Sequence, residues 1–124
     1  MHYFHDLEKF FSVLFKILKP NGTLIICDFH PFSRIVSANK ILTKEETSEV
    51  NYFDSSVQNG DVAYKQYFSE SEHDLFPDVM VRHYTLSDII NAVIQAGFNL
   101  REFNEHPGWI YKERPGEFTI VAKK

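Results

Sequence analysis

Two short stretches of the sequence carry side chains that can move a proton or hold a ligand. The first is DFHP, residues 28–31, which follows the apolar run 24–27. An imidazole at the end of a strand could orient a substrate or accept its proton near neutral pH. Alternatively, His30 hydrogen-bonds a loop carbonyl while Pro31 steers the chain outward. Asp28 either orients His30 or caps the next segment, and we favour capping.

The second stretch is MHYFHD, residues 1–6. His2, His5 and Asp6 are possible metal ligands, but no other cluster has ligand spacing, so no metal is predicted. The segment 82–84, Arg-His-Tyr, precedes a predicted helix and is a candidate anion site because free amides point there. We favour the simpler interpretation of this segment, a packed tyrosine between solvated charges.

Composition narrows the class of protein. A chain of 124 residues that is 44% hydrophobic predicts one globular domain. A net charge of −4 with scattered Lys and Arg argues against nucleic-acid binding. The single cysteine, Cys27, excludes an intramolecular disulfide, so we expect a cytoplasmic protein with Cys27 buried as a small hydrophobe. No run of apolar residues is long enough for a membrane span.

A helix and a strand are predicted to position the DFHP stretch. Apolar residues recur at three-four spacing after Asp6, a good N-cap, which predicts a helix over 6–19 that ends before Pro20. The run from Thr23 to Asp28 is apolar without alternation. This pattern is typical of a strand covered on both faces, as in a parallel sheet.

A second helix and two strands are predicted near the C-terminus. Thr85 is the N-cap of the helix, Asp88 completes a capping box, and Gly97 ends the helix. Strands are predicted over 99–105 and 118–122. These strands are antiparallel neighbours because no crossover helix fits between them.

Residues 32–82 form a polar insertion with aromatic residues interleaved. A short helix is predicted over 34–42. Weak strands are predicted over 50–53 and 62–68, with a turn at 59–61 between them. Long insertions are usually functional or mobile rather than part of the core. The aromatic residues could form either a lid over a substrate or a flap packed on itself.

The order of these segments resembles the C-terminal half of a class I S-adenosylmethionine-dependent methyltransferase. In that family a helix ending LKPGG precedes the fifth strand, as LKPNG does at 18–22. A helix ending AGF, here at 96–98, precedes the sixth, and the seventh inserts antiparallel between the fifth and sixth. The resemblance implies an α/β fold with a partial Rossmann-like sheet, in three layers only if a partner completes it. It also implies a single domain over 1–124 with 32–82 as a lid-like insertion.

The resemblance also assigns roles to individual residues. An HP pair after the fifth strand, followed by an aromatic-rich insertion, is similar to a subgroup that acts on small molecules. His30 is therefore the catalytic candidate, and the substrate-binding candidates are Phe29, Pro31, Phe32, Tyr67 and His83. The segment leaving the fourth strand touches the methionine end of S-adenosylmethionine in this family, so the cofactor-binding candidates are Met1, His2 and Tyr3.

One part of the family pattern is missing. The cofactor site of the family needs a glycine-rich turn after the first strand and an acidic residue that ends the second. The five glycines, at positions 22, 60, 97, 108 and 116, include no pair with G-x-G spacing. We therefore expect Met1 to be an internal methionine of a longer protein. The chain alone is expected neither to transfer methyl groups nor to bind S-adenosylmethionine.

Two functions follow as hypotheses. The first is a methyltransferase fragment that contributes substrate-side and lid residues for a small molecule. The second is a non-catalytic module, derived from the same fold, that oligomerises or binds a ligand. With the fourth strand absent, strand 23–28 has an unpaired apolar edge, which predicts a homodimer or higher oligomer through that edge. Neither nucleic acid nor a membrane is an expected partner.

Overall fold

A computed structural model of the chain describes residues 1–33, 51–60, 62, 65–109 and 112–124. In these residues the helices are α1 (Leu7–Ile17) and α2 (Leu86–Gln95). The strands are β1 (Thr23–Phe29), β2 (Val57–Gly60), β3 (Val79–Arg82), β4 (Asn99–Pro107) and β5 (Pro115–Lys123). Two short 3-10 helices, Lys65–Tyr67 and Glu70–Leu75, lie between β2 and β3. No helix among the described residues is long and apolar enough to cross a membrane.

Both predicted helices are confirmed, with the predicted caps. The Asp6 carboxylate accepts a hydrogen bond from the Lys9 amide at 2.9 Å and begins α1. At α2, the Thr85 hydroxyl accepts from the Asp88 amide at 3.1 Å. The Asp88 carboxylate in turn accepts from the Thr85 amide at 2.8 Å, which completes the capping box. Gly97 has a φ of +99° and ends the helix in a conformation that favours glycine.

The main sheet has the order β1-β5-β4, and both pairs of neighbours are antiparallel. The last strand of the chain therefore lies between the other two, as the resemblance implied. In β4 the register shifts between Leu100 and Glu102, so Arg101 is an extra residue in a β-bulge. The bulge explains why the apolar alternation along β4 is irregular in the sequence.

One face of this sheet, the inner face, is covered by α1 and α2. Its side chains belong to a single core with residues of both helices. The largest fully buried side chains of the core, two from the helices and two from β5, are Phe11, Val93, Phe118 and Ile120. The inner-face residues of the three strands are Leu24, Ile26, Leu100, Phe103, Phe118, Ile120 and Ala122.

The opposite, outer face corrects two expectations about β1. The burial of β1 alternates, and Ile25 and Phe29 on the outer face are 66% and 53% exposed. Cys27, predicted to be buried, lies between them and is exposed. Covering on both faces and parallel pairing are therefore wrong for the described part of the chain. The reason is that α1 and α2 lie on the same side of the sheet.

The insertion also differs from the prediction. Residues 51–53 form a turn, in which the Asn51 side chain accepts from the Phe53 amide at 2.9 Å, and 65–67 form a 3-10 helix. The weak strands predicted over 50–53 and 62–68 are therefore wrong for the residues described there, 51–53, 62 and 65–68. Instead β2 pairs antiparallel with β3, which places Asn59 and Gly60 in a strand. The helix predicted over 34–42 lies outside the described residues.

Candidate functional site

A pocket of about 320 Å³ lies at the carboxyl end of β1. We call it the β1 pocket. Its walls come from the N-terminal segment, the end of β1 and the residues that lead into α2. The lining residues are Met1, His2, Asp28, Phe29, His30, Pro31, Ser33, His83, Tyr84 and Ile89. It brings together six of the nine residues that the sequence singled out: Met1, His2, Phe29, His30, Pro31 and His83.

The inner face of the sheet becomes polar as it approaches this pocket. In the register of the three strands, Asp28 lies opposite Phe118, and Phe118 lies opposite Glu105. The next position along β1 on that face is His30, which is buried at 5% exposure. Two carboxylates and an imidazole therefore lie at one end of a face that is otherwise apolar.

The backbone around His30 explains why a proline follows it. Residues 31–33 have helical backbone, and Pro31 occupies the first helical position, where a missing amide costs least. Nδ1 of His30 accepts from the Phe32 amide at 3.1 Å, as an N-cap side chain does. The His30 carbonyl accepts from the amide of Ser33 at 2.8 Å and from its hydroxyl at 2.7 Å. The His30 ring thus accepts a hydrogen bond from a loop amide. The alternative considered from the sequence was a hydrogen bond to a loop carbonyl, in which the ring would be the donor.

These contacts fix the protonation state of His30. Because Nδ1 accepts an amide hydrogen, the proton of the neutral ring is on Nε2. Nε2 lies 3.0 Å from Oε1 of Glu105 but is buried without a well-aligned hydrogen bond. Burial lowers the pKa of His30, and the Glu105 carboxylate opposes this only in part. His30 is therefore neutral at pH 7, and its one lone pair is already engaged.

Glu105 was not singled out from the sequence. Its side chain reaches His30 because β4 is the neighbour of β5 and the register sets Glu105 in the same row as Asp28. The alternation Phe103-Asn104-Glu105 places Glu105 on the face of Phe103, which was the available signal. Glu105 comes close to His30 because of the strand order, which no local sequence pattern predicts.

Asp28, the second-last residue of β1, has two partners. Its carboxylate accepts from the Phe29 amide at 2.8 Å and forms an ion pair with the amino group of Met1. The first partner is the neighbouring amide within β1, and the cap of residues 31–33 is His30, so the capping role that we favoured for Asp28 is wrong. The second holds residue 1 against the end of β1, so the N-terminal segment forms one wall of the β1 pocket.

His2 is the second imidazole in the pocket. Its ring lies 4.1 Å from that of Tyr3 and 6.3 Å from that of His83, measured between ring centroids. Burial lowers the pKa of His2, the Met1 ammonium lowers it further, and the Asp28 carboxylate raises it. No hydrogen bond joins the His2 ring to any described residue. His2 is therefore neutral at pH 7 with an available lone pair.

The insertion is attached to the N-terminal segment through β3. The Arg82 amide donates to the His2 carbonyl at 2.8 Å, and the Arg82 guanidinium donates to the His5 carbonyl at 2.8 Å. The Tyr84 hydroxyl donates to the Phe4 carbonyl at 2.7 Å. Burial raises the pKa of Tyr84, so it donates as a neutral phenol. These bonds hold the N-terminal segment against the end of β3, and His83 and Tyr84, which follow β3, line the pocket.

Three predicted site residues do not line the β1 pocket. Tyr67 is 78% exposed on a 3-10 helix, and Phe32 is 40% exposed and contacts His30 through its backbone amide. Tyr3 is 42% exposed and packs on His2. None of these three side chains borders the cavity. Their substrate-binding and cofactor-binding roles stay predictions.

At the anion site considered at 82–84, three of the amides at the helix start are already engaged. The Thr85 and Asp88 amides are used in the capping box, and the Leu86 amide donates to the Tyr52 hydroxyl at 3.0 Å. An open cavity of about 660 Å³ beside this helix is lined by the carboxylates of Asp6, Glu8 and Asp88. These contacts disfavour an anion there. Within the described residues no group of three His, Cys, Asp or Glu side chains could hold a metal ion.

Comparison with known proteins identifies the fold. No family model and no curated protein matches the chain. The structure is similar to a candidate S-adenosylmethionine-dependent methyltransferase from Listeria monocytogenes, with a TM-score of 0.68 and 20% identity over 99% of this chain. It is also similar to an S-adenosylmethionine-dependent methyltransferase from Mesorhizobium loti, with a TM-score of 0.65 and 18% identity over 99% of this chain.

The chain spans only 56% and 57% of those two proteins. At such identities the similarity shows the fold, which is α/β and corresponds to part of a methyltransferase fold.

Proposed function

We propose that this chain is the C-terminal half of a class I S-adenosylmethionine-dependent methyltransferase that acts on a small molecule. The observation that supports this most is the sheet order β1-β5-β4 with a pocket at the carboxyl end of β1. Open α/β sheets bind their ligands at the carboxyl ends of strands. The similarity to part of two methyltransferase structures agrees with this assignment.

The residues present fit the cofactor only in part. A glycine-rich turn that would cradle it is missing from the sequence, and the β1 pocket, at about 320 Å³, is near the lower limit of small-molecule sites. The wall formed by Met1 and His2 is suited to one end of the cofactor. S-adenosylmethionine supplies a methyl group on a sulfonium when it is bound. We therefore propose that this chain has no transferase activity alone.

The residues of the chain itself orient the methyl acceptor. Phe29, Pro31 and Ile89 give the β1 pocket an apolar wall, and His2, His30 and His83 give it polar points. Catalysis of methyl transfer depends mainly on holding the acceptor in line with the methyl group. The buried cap at His30 makes the end of β1 rigid, which serves such positioning.

The experiment is a titration of the ¹⁵N-labelled chain with S-adenosylhomocysteine, followed by amide spectra. Because the chain alone is expected not to bind the cofactor, we expect no shifts at concentrations up to about 1 mM, where half-saturation would correspond to a binding free energy of about 4 kcal/mol. Amides of Asn21, Gly97 and Asn99, which line a separate pocket, are the internal control. A radiolabelled transfer assay with the chain alone should give no product.

Each contrary result has a definite meaning. Micromolar binding, or methyl transfer by the chain alone, would show that the cofactor site is complete and that our view of a half-protein is wrong. Shifts at the control amides without shifts at residues 1–3 would contradict the cofactor-facing role of Met1, His2 and Tyr3. The prediction of a single domain over 1–124 needs a separate measurement. Denaturation of the labelled chain, followed by the same amide spectra, should show one cooperative unfolding transition.

A second candidate function is an association module, favoured by one specific observation. Strand β1 is an edge of its sheet within the described residues, and its outer face exposes Ile25 and Phe29. A free apolar edge is a template for pairing with another chain. We propose a homodimer or higher oligomer through strand 23–28. Light scattering at micromolar concentration should give at least twice the mass of the chain, and a monodisperse monomer would contradict the proposal.

A further inference from the structure

A second cavity lies at the opposite end of the sheet from the β1 pocket, where β1 and β4 begin and β5 ends. Its volume is about 320 Å³, and we call it the basic pocket. The residues that line it are Asn21, Gly97, Asn99, Arg101, Lys123 and Lys124. We propose that the basic pocket binds a phosphate group, either free or carried by a small molecule. This site is separate from the β1 pocket and goes beyond the proposed methyl transfer.

The first argument is the charge of the basic pocket. Three of its lining residues are cationic, and two others, Asn21 and Asn99, carry side-chain amide donors. No Asp or Glu side chain lines it among the described residues, although the chain as a whole has a net charge of −4. The cations are distant in sequence, and the pairing of β4 with β5 brings them to one end of the sheet. An anion is the ligand that complements such a cavity.

The second argument is the position of Arg101. It is the extra residue of the bulge in β4, and a bulge redirects the side chain that it carries. The Arg101 side chain is exposed and lines the basic pocket, and within the described residues it has no ion pair or hydrogen bond. The neighbouring acid, Glu102, accepts a hydrogen bond from the Asn104 side chain at 3.3 Å instead. The planar guanidinium is therefore available for two parallel hydrogen bonds to a phosphate.

The third argument is how the two lysines are held. Nζ of Lys124 donates to the Leu18 carbonyl at 2.8 Å and lies 4.7 Å from the centroid of the Phe15 ring. Nζ of Lys123 donates to the Asn21 carbonyl at 3.4 Å. All of these partners are neutral, so they do not cancel the charge, and an ammonium group bound to one carbonyl keeps hydrogens for another acceptor. Both lysines are therefore held at the basic pocket with their charge available.

The lining favours a phosphate over a carboxylate or a polynucleotide. A phosphate monoester carries close to two negative charges on three oxygens, so it can engage guanidinium, ammonium and amide groups at once. A volume of about 320 Å³ is at the lower end of small-molecule sites, which suits one phosphate with a small body attached. A polynucleotide would need a basic surface that follows several phosphates, and the net charge of −4 disfavours it.

The experiment titrates the full chain, ¹⁵N-labelled, with inorganic phosphate and with glycerol 2-phosphate, at an ionic strength held constant with chloride. We expect saturable shifts at the amides of Asn21, Gly97 and Asn99, with a dissociation constant of about 1 mM or lower, and unchanged amides at residues 28–33. Glycerol and acetate at the same concentrations should cause no shifts. Tighter binding of the ester identifies a phosphorylated small molecule as the ligand, and equal affinity identifies free phosphate. Both results support a phosphate site.

The pair Arg101→Gln and Arg114→Gln separates a specific site from an effect of net charge. Arg101→Gln should weaken phosphate binding by about tenfold or more, because a charge-assisted hydrogen bond is lost. Arg114→Gln removes the same charge just before the other end of β5 and should leave the affinity unchanged. Amidation of the terminal carboxylate on Lys124 removes a negative charge beside the pocket and should strengthen binding.

Three results would overturn the inference. The first is a set of basic-pocket amides that do not saturate by about 10 mM phosphate. The second is equal binding of acetate, and the third is equal weakening by Arg101→Gln and Arg114→Gln. If Arg101→Gln fails to fold by circular dichroism, the titration of the unmodified chain still decides. S-adenosylhomocysteine carries no phosphate, so its titration tests the proposed function separately, and the failure of either proposal leaves the other in place.

Discussion

The two faces of the three-stranded sheet are built from the same strands and from similar residues, yet they have opposite environments. On β1, Leu24 faces inward and is 7% exposed, while its neighbour Ile25 faces outward and is 66% exposed. On the inner face Phe118 is fully buried, and on the outer face Phe29 is 53% exposed. Residue type therefore does not decide burial here. Both helices lie on one side of the sheet, and that decides which apolar residues become core.

The outer face also differs in what it can do. Cys27 is exposed between Ile25 and Phe29, at the free edge of the described sheet. Apolar side chains grouped on a surface beside a free edge are typical of interaction sites. The buried residues of the inner face stabilise the fold, and the polar end of the same face forms part of the candidate site. The following experiments test this division of roles.

The largest effect is expected from truncating matched phenylalanines on the two faces. Phe118→Ala should lower the free energy of unfolding by about 3–5 kcal/mol, because it leaves a cavity among α1, α2 and the sheet. Phe29→Ala should cost less than about 1 kcal/mol, since half of that side chain is in water. Chemical denaturation of both variants measures the difference. Equal losses would mean that the outer face is also covered in solution.

A smaller effect is expected from loosening the helix that covers the inner face. Thr85→Ala removes the N-cap of α2 and should cost about 1 kcal/mol of unfolding free energy. Ser87→Ala, two residues into the same helix and exposed, is the matched control and should change stability by less than about 0.5 kcal/mol. An equal response of the two variants in thermal denaturation would contradict the importance of the capping box.

Acid should weaken the polar end of the inner face. The pKa values of His2 and His30 are both lowered by burial, so the unfolded chain binds more protons than the folded chain near pH 6. The stability from these neutral rings is present above the usual pKa of about 6.5 and is lost as pH falls toward the folded-state values. Unfolding midpoints should therefore decrease from pH 7 to pH 5.

His30→Gln should reduce that pH dependence, because one of the two buried rings is gone. His73→Gln removes a histidine on a 3-10 helix that does not line the β1 pocket, and it serves as the control. A midpoint that rises on acidification, or a slope that His30→Gln does not change, would contradict the assignment of a neutral, buried His30.

The smallest effect on stability is expected at the edge of the outer face. Ile25→Lys should change the unfolding free energy by less than about 0.5 kcal/mol, since the residue is mostly exposed, but it should convert the proposed oligomer to a monomer. Ile94→Lys, at a half-exposed position on α2, is the control and should leave the mass unchanged. Sedimentation velocity measures both variants, and an oligomer that survives Ile25→Lys would place the interface elsewhere.

The elements that depend on neighbouring residues were predictable. The Asp6 cap, the capping box at Thr85 and the end of α2 at Gly97 were all read from spacing, because each involves atoms within four residues of one another. The strands β2 and β3 were not predicted. The sequence of β2, Val-Gln-Asn-Gly, has weak strand preference. It becomes a strand because it pairs with β3, which lies some twenty residues further along the chain.

The candidate site divides in the same way. The sequence singled out His2, His30 and His83 from their types and their places beside predicted elements, and the structure brings all three to one pocket. Such reasoning could not identify Glu105 as the partner of His30. Glu105 lies on the far strand of the sheet, and its 3.0 Å approach to Nε2 follows from the strand order alone.

By itself, the sequence determined where helices begin and end, the antiparallel pairing of the last two strands and the residues able to do chemistry. Only the tertiary structure decided which face of β1 is buried, which amide engages the His30 ring and which carboxylate lies near that ring. The physical reason is the range of the interactions. Caps are local hydrogen bonds, whereas burial and the environment of an imidazole depend on segments that fold together from distant parts of the chain.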